Sequence, residues 1–540
     1  MSKDVPFRRQ FVKCLAAGAL ASPVAGLAAD SSASGADGKQ VSVATKHVFD
    51  VTAFGATGDG KTLCTAPIQN AVDACSRNGG GKVVVPPGKY LTGPIFLRSN
   101  MEFEVCAGAT LLGSRNVDDY PSIQGRWEGI DRTVYASLLT GENLENVSIV
   151  GRGVLDGSGP IWWDAAWKNE AMRNKLGLVE REPDNPPGSP LKWPRPRMIN
   201  LYRCKNVRIS GLTLLDSPSW NIHPVLCEDV CIDGLTILTP DRTPNTDGID
   251  PDSCKNVRIS NCYISTGDDG VIIKSGYRYR QGNPNVASEN IVVTNCVFGH
   301  GWASVGIGSE TAGGVRNVTI SNCVCEGARR GVNFKTARGR GNVVENIRVS
   351  DFVIRNVDIG IFISMFYSGE DATDSAMPVT EATPTFRNIH LSNITVSGAK
   401  SAVIIQGLPE NPIRNLSMGA LRVDSATNGV SCSNTCGLTL ENAVIDAENA
   451  PAVKFTDLQD LEVIRFKSTR PKAQQSDLQL ERVEDAVIQS CKAVEGSRAL
   501  VELKGTGNRG IAFALNRTWK DVEEVVFTDG ASEIAVSKRV

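Results

Sequence analysis

Three aspartates in two short turns are residues of the type that acid–base chemistry uses. Asp247 lies in NTDGIDPD, and Asp268 and Asp269 lie together in TGDDG. Residues 257–264, between the two turns, are apolar and β-branched and alternate as a strand does. Carboxylates that share a site repel one another, which raises the pKa of at least one of them. Such a cluster can therefore supply both an acid and a base.

The spacing of these aspartates indicates how they would meet. Asp247 and Asp268 are 21 residues apart, and a coil of parallel strands with about that many residues per turn returns about 4.8 Å further along its axis. Asp269 follows Asp268 directly, and neighbours on a regular strand point to opposite faces. Both can serve one cleft only where the strand ends or bends, and Gly267 and Gly270 permit a bend.

Further along the chain come an imidazole and several cations. His300 lies in GHGWASVGIGSE, and Lys335 lies in GVNFKTARGRGN, followed by Arg338 and Arg340. If each lies one or two coils beyond the aspartates on the same face, an acidic polymer could lie along the coil axis. The carboxylates would act at one linkage and the cations would hold the acidic sugar beside it.

An internal repeat carries the fold prediction. The segments NVRISGLTLL, NVRISNCYIS, NVTISNCVCE and NIRVSDFVIR begin at residues 206, 256, 317 and 346. Each has an Asn suited to a turn, an alternating strand, a polar turn and a second strand. Such units bury their apolar faces only by stacking on each other. We predict an all-β, right-handed parallel β-helix, in preference to leucine-rich repeats or a set of β-sandwiches.

The elements outside the repeat complete the predicted organisation. A helix near residues 65–75 is expected to cap the amino-terminal end of the solenoid. Residues 161–196, rich in Trp and Pro, are expected to form a long loop beside the cleft. We predict a single β-helix domain over residues 46–540, with its catalytic core at about 140–410 and further coils and a cap at about 411–540.

The amino terminus resembles an export signal. Residues 1–29 combine early Arg and Lys residues with a short apolar run, and a Ser/Ala/Gly-rich linker follows at 30–45. The string FRRQFVK resembles a twin-arginine signal, with an ordinary secretory signal as the alternative. We expect an exported, periplasmic or extracellular protein without a membrane span.

Charge and cysteine content narrow the choice of partners. The formal net charge is −2, so the chain has no general attraction for nucleic acid. Of 15 cysteines, several share an Asn-Cys context in successive repeats, which favours buried free thiols over disulfides. No spacing indicates a zinc site, and we expect neither a metal nor a cofactor. We expect a monomer.

Taken in order, SPSWNIHPVLCEDV, NTDGIDPDSCKNV, TGDD, GHG and the Lys335 region resemble the polygalacturonases, family 28 of the glycoside hydrolases. The resemblance covers about residues 48–450 and implies inverting hydrolysis of galacturonan-type pectin, a plant cell-wall polysaccharide. By resemblance, Asp268 matches the general acid, Asp247 and Asp269 match the pair that holds the attacking water, and His300 matches the histidine near the acid. The expected substrate contacts are Asn245, Asn333, Lys335 and Arg338.

The chain also departs from the family pattern. Where the family usually has Arg-Ile-Lys, this chain has Asn333-Phe334-Lys335, so an arginine grip on the substrate carboxylate is missing there. Arg338 or Arg340 could replace it, and Trp302 looks inserted after GHG. Inverting chemistry sets an expected separation of about 6.5–9.5 Å between the acid and base carboxyls.

Alternatives remain within and outside this class. The polymer could be rhamnogalacturonan or xylogalacturonan, cut from within or from a chain end. A calcium-dependent pectate lyase would use the aspartates as ligands and a basic residue to abstract a proton. A non-catalytic polysaccharide-binding solenoid is the third reading, although binding alone does not need three mutually repelling carboxylates.

Overall fold

A computed structural model describes residues 47–176, 185–278, 285–367, 375–470 and 474–539. The predicted export signal at 1–29 and linker at 30–45 lie outside the described residues. No helix in the described part of the chain has the length and apolar character that crossing a bilayer requires.

Short strands follow one another along nearly the whole described chain. The first group is Val48–Asp50 (β1), Asp59–Leu63 (β2), Gly81–Val85 (β3), Gly88–Thr92 (β4), Ile95–Phe96 (β5), Met101–Val105 (β6), Ala109–Gly113 (β7), Ser122–Trp127 (β8), Ile130–Tyr135 (β9), Leu139–Glu142 (β10), Glu145–Gly151 (β11), Val154–Asp156 (β12), Ile199–Tyr202 (β13), Lys205–Ser210 (β14), Thr213–Leu215 (β15) and Ile222–Val225 (β16). The middle group is Glu228–Asp233 (β17), Thr236–Leu238 (β18), Lys255–Ser260 (β19), Tyr263–Ser265 (β20), Val271–Ile273 (β21), Ser288–Thr294 (β22), Val297–Phe298 (β23), Ala303–Ile307 (β24), Val315–Glu326 (β25), Arg330–Lys335 (β26), Val343–Arg355 (β27), Ile359–Ser364 (β28) and Thr385–Gln406 (β29). The last group is Ile413–Glu441 (β30), Val444–Ala447 (β31), Val453–Ile464 (β32), Lys467–Ser468 (β33), Ser476–Gln489 (β34), Ala499–Lys504 (β35), Arg509–Ala514 (β36), Glu523–Thr528 (β37) and Val536–Arg539 (β38).

All of these strands except β8 and β9 stack in parallel on three faces of a solenoid. On the first face β3, β6, β11, β14, β17, β19 and β22 pair in sequence, and on the second β4, β7, β12, β15, β18 and β20 do so. On the third face β5, β10, β13 and β16 are followed by a bridge at Ile249 and then by β21, β24, β26 and β28. The predicted right-handed parallel β-helix is confirmed.

The repeated asparagines form a ladder at one corner of the coils. Asn317 has a φ of 57°, a left-handed conformation that Asn adopts more readily than other non-glycine residues. Its Nδ2 donates to Asn290 Oδ1 at 3.1 Å, and its Oδ1 accepts from Asn346 Nδ2 at 3.1 Å. The ladder therefore satisfies side-chain polar groups while turning the chain.

Inside the coils, aliphatic residues from all three faces pack into one continuous core. The 14 described cysteines are free, and most are buried. Cys262, Cys296 and Cys323 precede paired strand residues on successive coils of the second face. They behave as small apolar groups in the core, which agrees with the predicted free thiols.

Two helices accompany the coils. Thr65–Arg77 (α1) packs on β1, β3 and β5, as predicted for the cap. Pro160–Leu176 (α2) occupies the start of the segment that was predicted to be a loop, so that prediction is wrong for these residues. The apolar residues of α2 show little helical periodicity because Trp162 and Trp163 are adjacent and both are buried.

The asparagine ladder leads to a stability prediction. Replacing Asn317 with Ala should cost about 1–2 kcal/mol for the left-handed backbone and about 1 kcal/mol for the lost hydrogen bonds. Asn317→Gly keeps the backbone conformation and should lose only the second contribution. Thermal midpoints should rank wild type above Asn317→Gly and Asn317→Gly above Asn317→Ala, with exposed Thr319→Ala as the control. Equal midpoints for the Gly and Ala variants would contradict the backbone argument.

Candidate active site

Strand pairing on the third face places Asp247 and Asp269 side by side on neighbouring coils. Ile249 pairs with Val271 on the next coil, and each aspartate precedes its pairing residue by two positions. Gly248 N donates to Asp269 O at 2.8 Å, which continues the ladder into the turns. The two coils are thus offset by 22 residues at this point, one more than the offset from Asp247 to Asp268.

Asp268 joins the pair because the chain bends at residues 267–268. Thr266 Oγ1 and Trp302 N donate to the Asp268 carbonyl oxygen at 3.1 and 3.0 Å and fix the bend. Gly267 is required by close packing, since a Cβ there would lie 2.1 Å from Thr243 Oγ1. The strand therefore ends where the sequence predicted, and the two adjacent aspartates reach one cleft.

One carboxylate oxygen from each of Asp247, Asp268 and Asp269 lies within 4.8 Å of the other two. The expected inverting separation of about 6.5–9.5 Å is not met between these nearest oxygens. The separation is short because Asp247 and Asp269 are ladder neighbours and Asp268 is adjacent to Asp269 in the chain.

Two lysines, of which Lys274 is buried and Lys335 partly buried, hold the neighbouring aspartates Asp247 and Asp269. Lys274 Nζ lies 3.2 Å from Asp247 Oδ2, and Lys335 Nζ lies 3.2 Å from Asp269 Oδ2. In both aspartates Oδ1 is buried and accepts no hydrogen bond from any described residue. The pair thus presents two unused acceptors, each on a carboxylate whose other oxygen is held by a cation.

Electrostatics separate the roles of the carboxyls. Burial, and then the charges of Asp247 and Asp269, raise the pKa of Asp268 well above its usual value. Burial also raises the pKa of Asp247 to about 6, although Lys274 opposes that rise. Asp268 is therefore the carboxyl that most readily keeps a proton, and Asp247 is the one that a cation helps to ionise.

Lys274 is a site residue that the sequence reasoning missed. It is 5% exposed, lies 4.1 Å above the Trp220 ring, and has Asp250 and Glu310 oxygens at 3.9 Å. Burial opposes its charged form, but Asp250, Glu310 and Asp247 together raise its pKa. A lysine within the apolar run VIIKSG was the available signal.

These groups line a cleft of about 780 Å³, a size suited to a small part of a polymer chain. The cleft also exposes aromatic and cationic side chains along its walls. The lining residues are Glu128, Trp220, Asn245, Asp247, Asp268, Asp269, Lys274, Tyr277, Trp302, Gly308, Ser309, Glu310, Arg330, Lys335, Ala337, Arg340 and Tyr367.

Of the predicted substrate contacts, Asn245 and Lys335 line the cleft. Asn245 Oδ1 accepts from buried Arg195 Nη2 at 2.7 Å, which fixes the amide. Asn333 is fully buried beneath the cleft, where its Oδ1 accepts from Arg330 Nη1 at 3.1 Å. Arg338 does not line the cleft and instead grips Glu410 with two hydrogen bonds.

His300 lies behind the bend and does not line the cleft. Its Nε2 lies 2.9 Å from Thr239 O and its Nδ1 lies 2.8 Å from Ser265 Oγ. Its carbonyl oxygen accepts from Thr266 N at 3.0 Å. The structure thus places His300 as a brace for the turn that carries Asp268, with both ring nitrogens occupied.

A family model for glycosyl hydrolases family 28 matches residues 75–443, more than half of the chain. The chain belongs to glycosyl hydrolases family 28. It is therefore a glycoside hydrolase, and the three clustered aspartates lie within the matched region.

Relatives of this family 28 enzyme include both endo- and exo-acting proteins by name. A "Probable polygalacturonase" of Vitis vinifera is 33% identical over 72% of this chain and 77% of its own. An "Endo-polygalacturonase" of Pectobacterium carotovorum is 29% identical over 64% of this chain and 80% of its own. The structure of a hyperthermoactive exopolygalacturonase from Thermotoga maritima superposes with a TM-score of 0.60 at 32% identity, covering 78% of this chain and 92% of the other.

The aspartate cluster of this family 28 enzyme is a poor fit to a calcium ion. Asp247, Asp268 and Asp269 could each offer one oxygen, whereas Ca²⁺ takes six to eight oxygen ligands. Lys274 and Lys335 already neutralise two of the three carboxylates. The donor set therefore favours proton chemistry over cation binding.

Burial of like charges in the family 28 cleft predicts a stability cost. The folded-state pKa of Asp268 is raised, so the folded protein holds that proton more tightly than the unfolded chain. Stability is thus fully present below the unfolded value of 3.8 and is lost as the pH rises through the folded pKa. Asp268→Asn should raise the thermal midpoint by a few degrees at pH 8, and the gain should shrink toward pH 4.

Asp351 provides the control for that prediction. It is exposed, and a hydrogen bond from Asn393 lowers its pKa, so Asp351→Asn should give no gain at pH 8. Scanning calorimetry of both variants at the two pH values measures the difference. A lower midpoint for Asp268→Asn at pH 8 would contradict the electrostatic account.

Proposed function

We propose that this protein is an exported, inverting hydrolase that releases sugars from one end of de-esterified pectin by cutting α-galacturonosyl linkages. Its substrate would be an acidic plant cell-wall polymer, and it would act as a monomer without a metal or cofactor. The observation that carries the proposal is the cluster of Asp247, Asp268 and Asp269, in which two carboxylates face cations and one does not.

The geometry supports a separate role for each aspartate in the proposed hydrolysis. Asp268, which keeps its proton most readily, would donate it to the glycosidic oxygen as the bond breaks. A water that donates hydrogen bonds to the carboxylates of Asp247 and Asp269 would be held for attack. Asp247 would accept the proton that the water loses, and Lys274 would hold that carboxylate ionised beforehand.

Inversion follows from the shared water. A single carboxylate close to the acid is typical of retaining enzymes, which form a covalent intermediate. Here two carboxylates lie close together beside the acid, and we infer that a water held by this pair, rather than a carboxylate, would attack the sugar. The short spacing makes the configuration of the released sugar a decisive observable.

A hairpin supports cutting from a chain end. Strands β8 and β9 pair antiparallel, and the turn between them reaches the coil of the aspartates, where Gly129 O accepts from Tyr277 N at 3.4 Å. Arg126 Nη1 donates to buried Asp252 at 3.1 Å, and Trp127 stacks on Trp220 with centroids 5.1 Å apart. The hairpin thus covers the third face on the amino-terminal side of the cleft, which supports a cut near one end of the polymer.

Product analysis tests this function. Incubated in chelator with oligogalacturonates of defined length, the enzyme should release short products of one size and new reducing ends, without ultraviolet-absorbing unsaturated sugars. Proton NMR during the first turnovers should show the β anomer, since the bond cut is α. Asp268→Asn should bind the same oligomer but turn over about 10²–10⁴-fold more slowly.

Each contrary result has a distinct meaning for the proposal. Unsaturated products that require calcium would indicate a lyase, and binding without turnover in the wild type would indicate a carbohydrate-binding solenoid. An α-anomeric product would replace inversion with retention. Cleavage confined to rhamnogalacturonan or xylogalacturonan would change the polymer but not the class.

Lys274 gives a prediction for the pH dependence. Activity should rise with pH as Asp247 ionises, and the pKa of Asp247 is about 6. In Lys274→Met the cation that lowers this pKa is absent, so the acidic limb of kcat/KM should move to higher pH. Lys255→Met, on the exposed part of β19 beside Glu289, is the control and should leave the limb in place. If a folded Lys274→Met variant keeps the acidic limb of kcat/KM at the wild-type pH, the proposed role of Lys274 is contradicted.

A further inference from the structure

Among the described residues, one cation of the cleft, Arg330, makes a single hydrogen bond. Lys274 and Lys335 pair with aspartates, and Arg340 donates to Tyr277 O and Ser309 Oγ. Arg330 donates one hydrogen bond, from Nη1 to Asn333 Oδ1 at 3.1 Å. Its other N–H groups have no partner among the residues that the structure describes, although the guanidinium lies in the cleft wall.

The guanidinium of Arg330 is nevertheless held firmly. Asn333 pairs with Gly306 on one neighbouring coil and with Phe362 on the other, so the three form one outward-facing column beneath the cleft. The central carbon of the guanidinium lies 3.7 Å from the Phe362 ring centroid and 5.9 Å from that of Trp302. Stacking on these rings orients the planar group and leaves its free edge for a ligand.

We propose that Arg330 binds the carboxylate of a sugar on the leaving-group side of the cleavage point, and that Asn333 positions it. This proposal rests on the proposed hydrolysis of an acidic polymer. In the family pattern that this chain resembles, position 333 matches an arginine. Here a short amide stands at that position, and Arg330, three residues earlier, reaches over it. The same charge thus enters the cleft from a different position of the chain.

The position of Arg330 along the coil axis determines which sugar of the polymer it contacts. Val271, Val305 and Val332 pair across three successive coils, so β26 lies two coils, about 10 Å, beyond the coil of Asp269. The hairpin covers the opposite, amino-terminal side of the cleft. Arg330 therefore faces the part of the polymer that remains after a terminal unit is removed, and it selects a free uronate over a methyl ester at that position.

Steady-state kinetics on a trigalacturonate and its methyl ester test the assignment. Loss of a charged, two-point contact in Arg330→Ala should raise KM for the free acid by about ten- to a hundredfold, with a smaller change in kcat. The preference for the free acid over the ester should fall by a similar factor. Arg330→Lys keeps the charge but lacks the two parallel N–H donors of a guanidinium. Its KM should therefore lie between those of Arg330→Ala and the wild type.

Two further variants make the result specific. The double variant Arg330→Ala/Asn333→Arg restores a guanidinium from the other position and should recover most of the lost affinity. Arg355→Ala removes an exposed arginine that pairs with Glu326 and does not line the cleft. This variant should leave KM unchanged.

The outcomes separate this proposal from the function on which it rests. If wild-type enzyme cleaves no galacturonate oligomer, the proposed function fails. If the wild type cleaves it and folded Arg330→Ala and Arg330→Lys keep the wild-type KM and ester discrimination, the function stands and the role of Arg330 is overturned. Failure of the double variant to recover affinity would overturn the positional exchange between residues 330 and 333.

Discussion

The hydrogen-bonded pairing of successive coils is the constraint on which the site depends. Because Ile249 pairs with Val271, Asp247 and Asp269 have to stand one strand spacing apart, about 4.8 Å. The bend after β20 then brings Asp268 into the same cleft. Backbone pairing across the coils, far more extensive than the site, thus holds together carboxylates that would separate if only their own charges acted.

Cations neutralise the three carboxylates unequally, and the proposed hydrolysis depends on that difference. Lys274 holds one oxygen of Asp247 and Lys335 holds one oxygen of Asp269, while within the described part of the chain the Asp268 carboxyl has only the backbone N–H of Asp269, at 3.0 Å. Burial without a directly bound cation favours the protonated form of Asp268. In the proposed mechanism one residue type therefore yields an acid and a water-binding pair, at a cost in stability that the rest of the solenoid has to offset.

The sequence predicted what depends on local pattern. The recurring Asn-Val-x-Ile segments predicted the coils and the turns at their corners, the 21-residue spacing predicted that the aspartates meet, and the glycines beside Asp268 indicated the bend. It did not predict contacts that depend on long-range packing. Arg338 was expected at the substrate, but its side chain binds Glu410, and the contacts of His300 with Thr239 and Ser265 could not be predicted. Lys274, the hairpin and Arg330 reach the cleft through neighbouring coils whose alignment the varying loop lengths concealed.

The proposed hydrolysis requires a protonated Asp268, and difference infrared spectroscopy measures that protonation state directly. Spectra of the wild type minus Asp268→Asn, recorded at pH 6 without substrate, should show the C=O stretching band of a protonated carboxyl that disappears as the pH is raised. A difference spectrum containing only carboxylate bands at pH 6 would mean that Asp268 is already ionised. It could not then donate the proton on which the proposed hydrolysis depends.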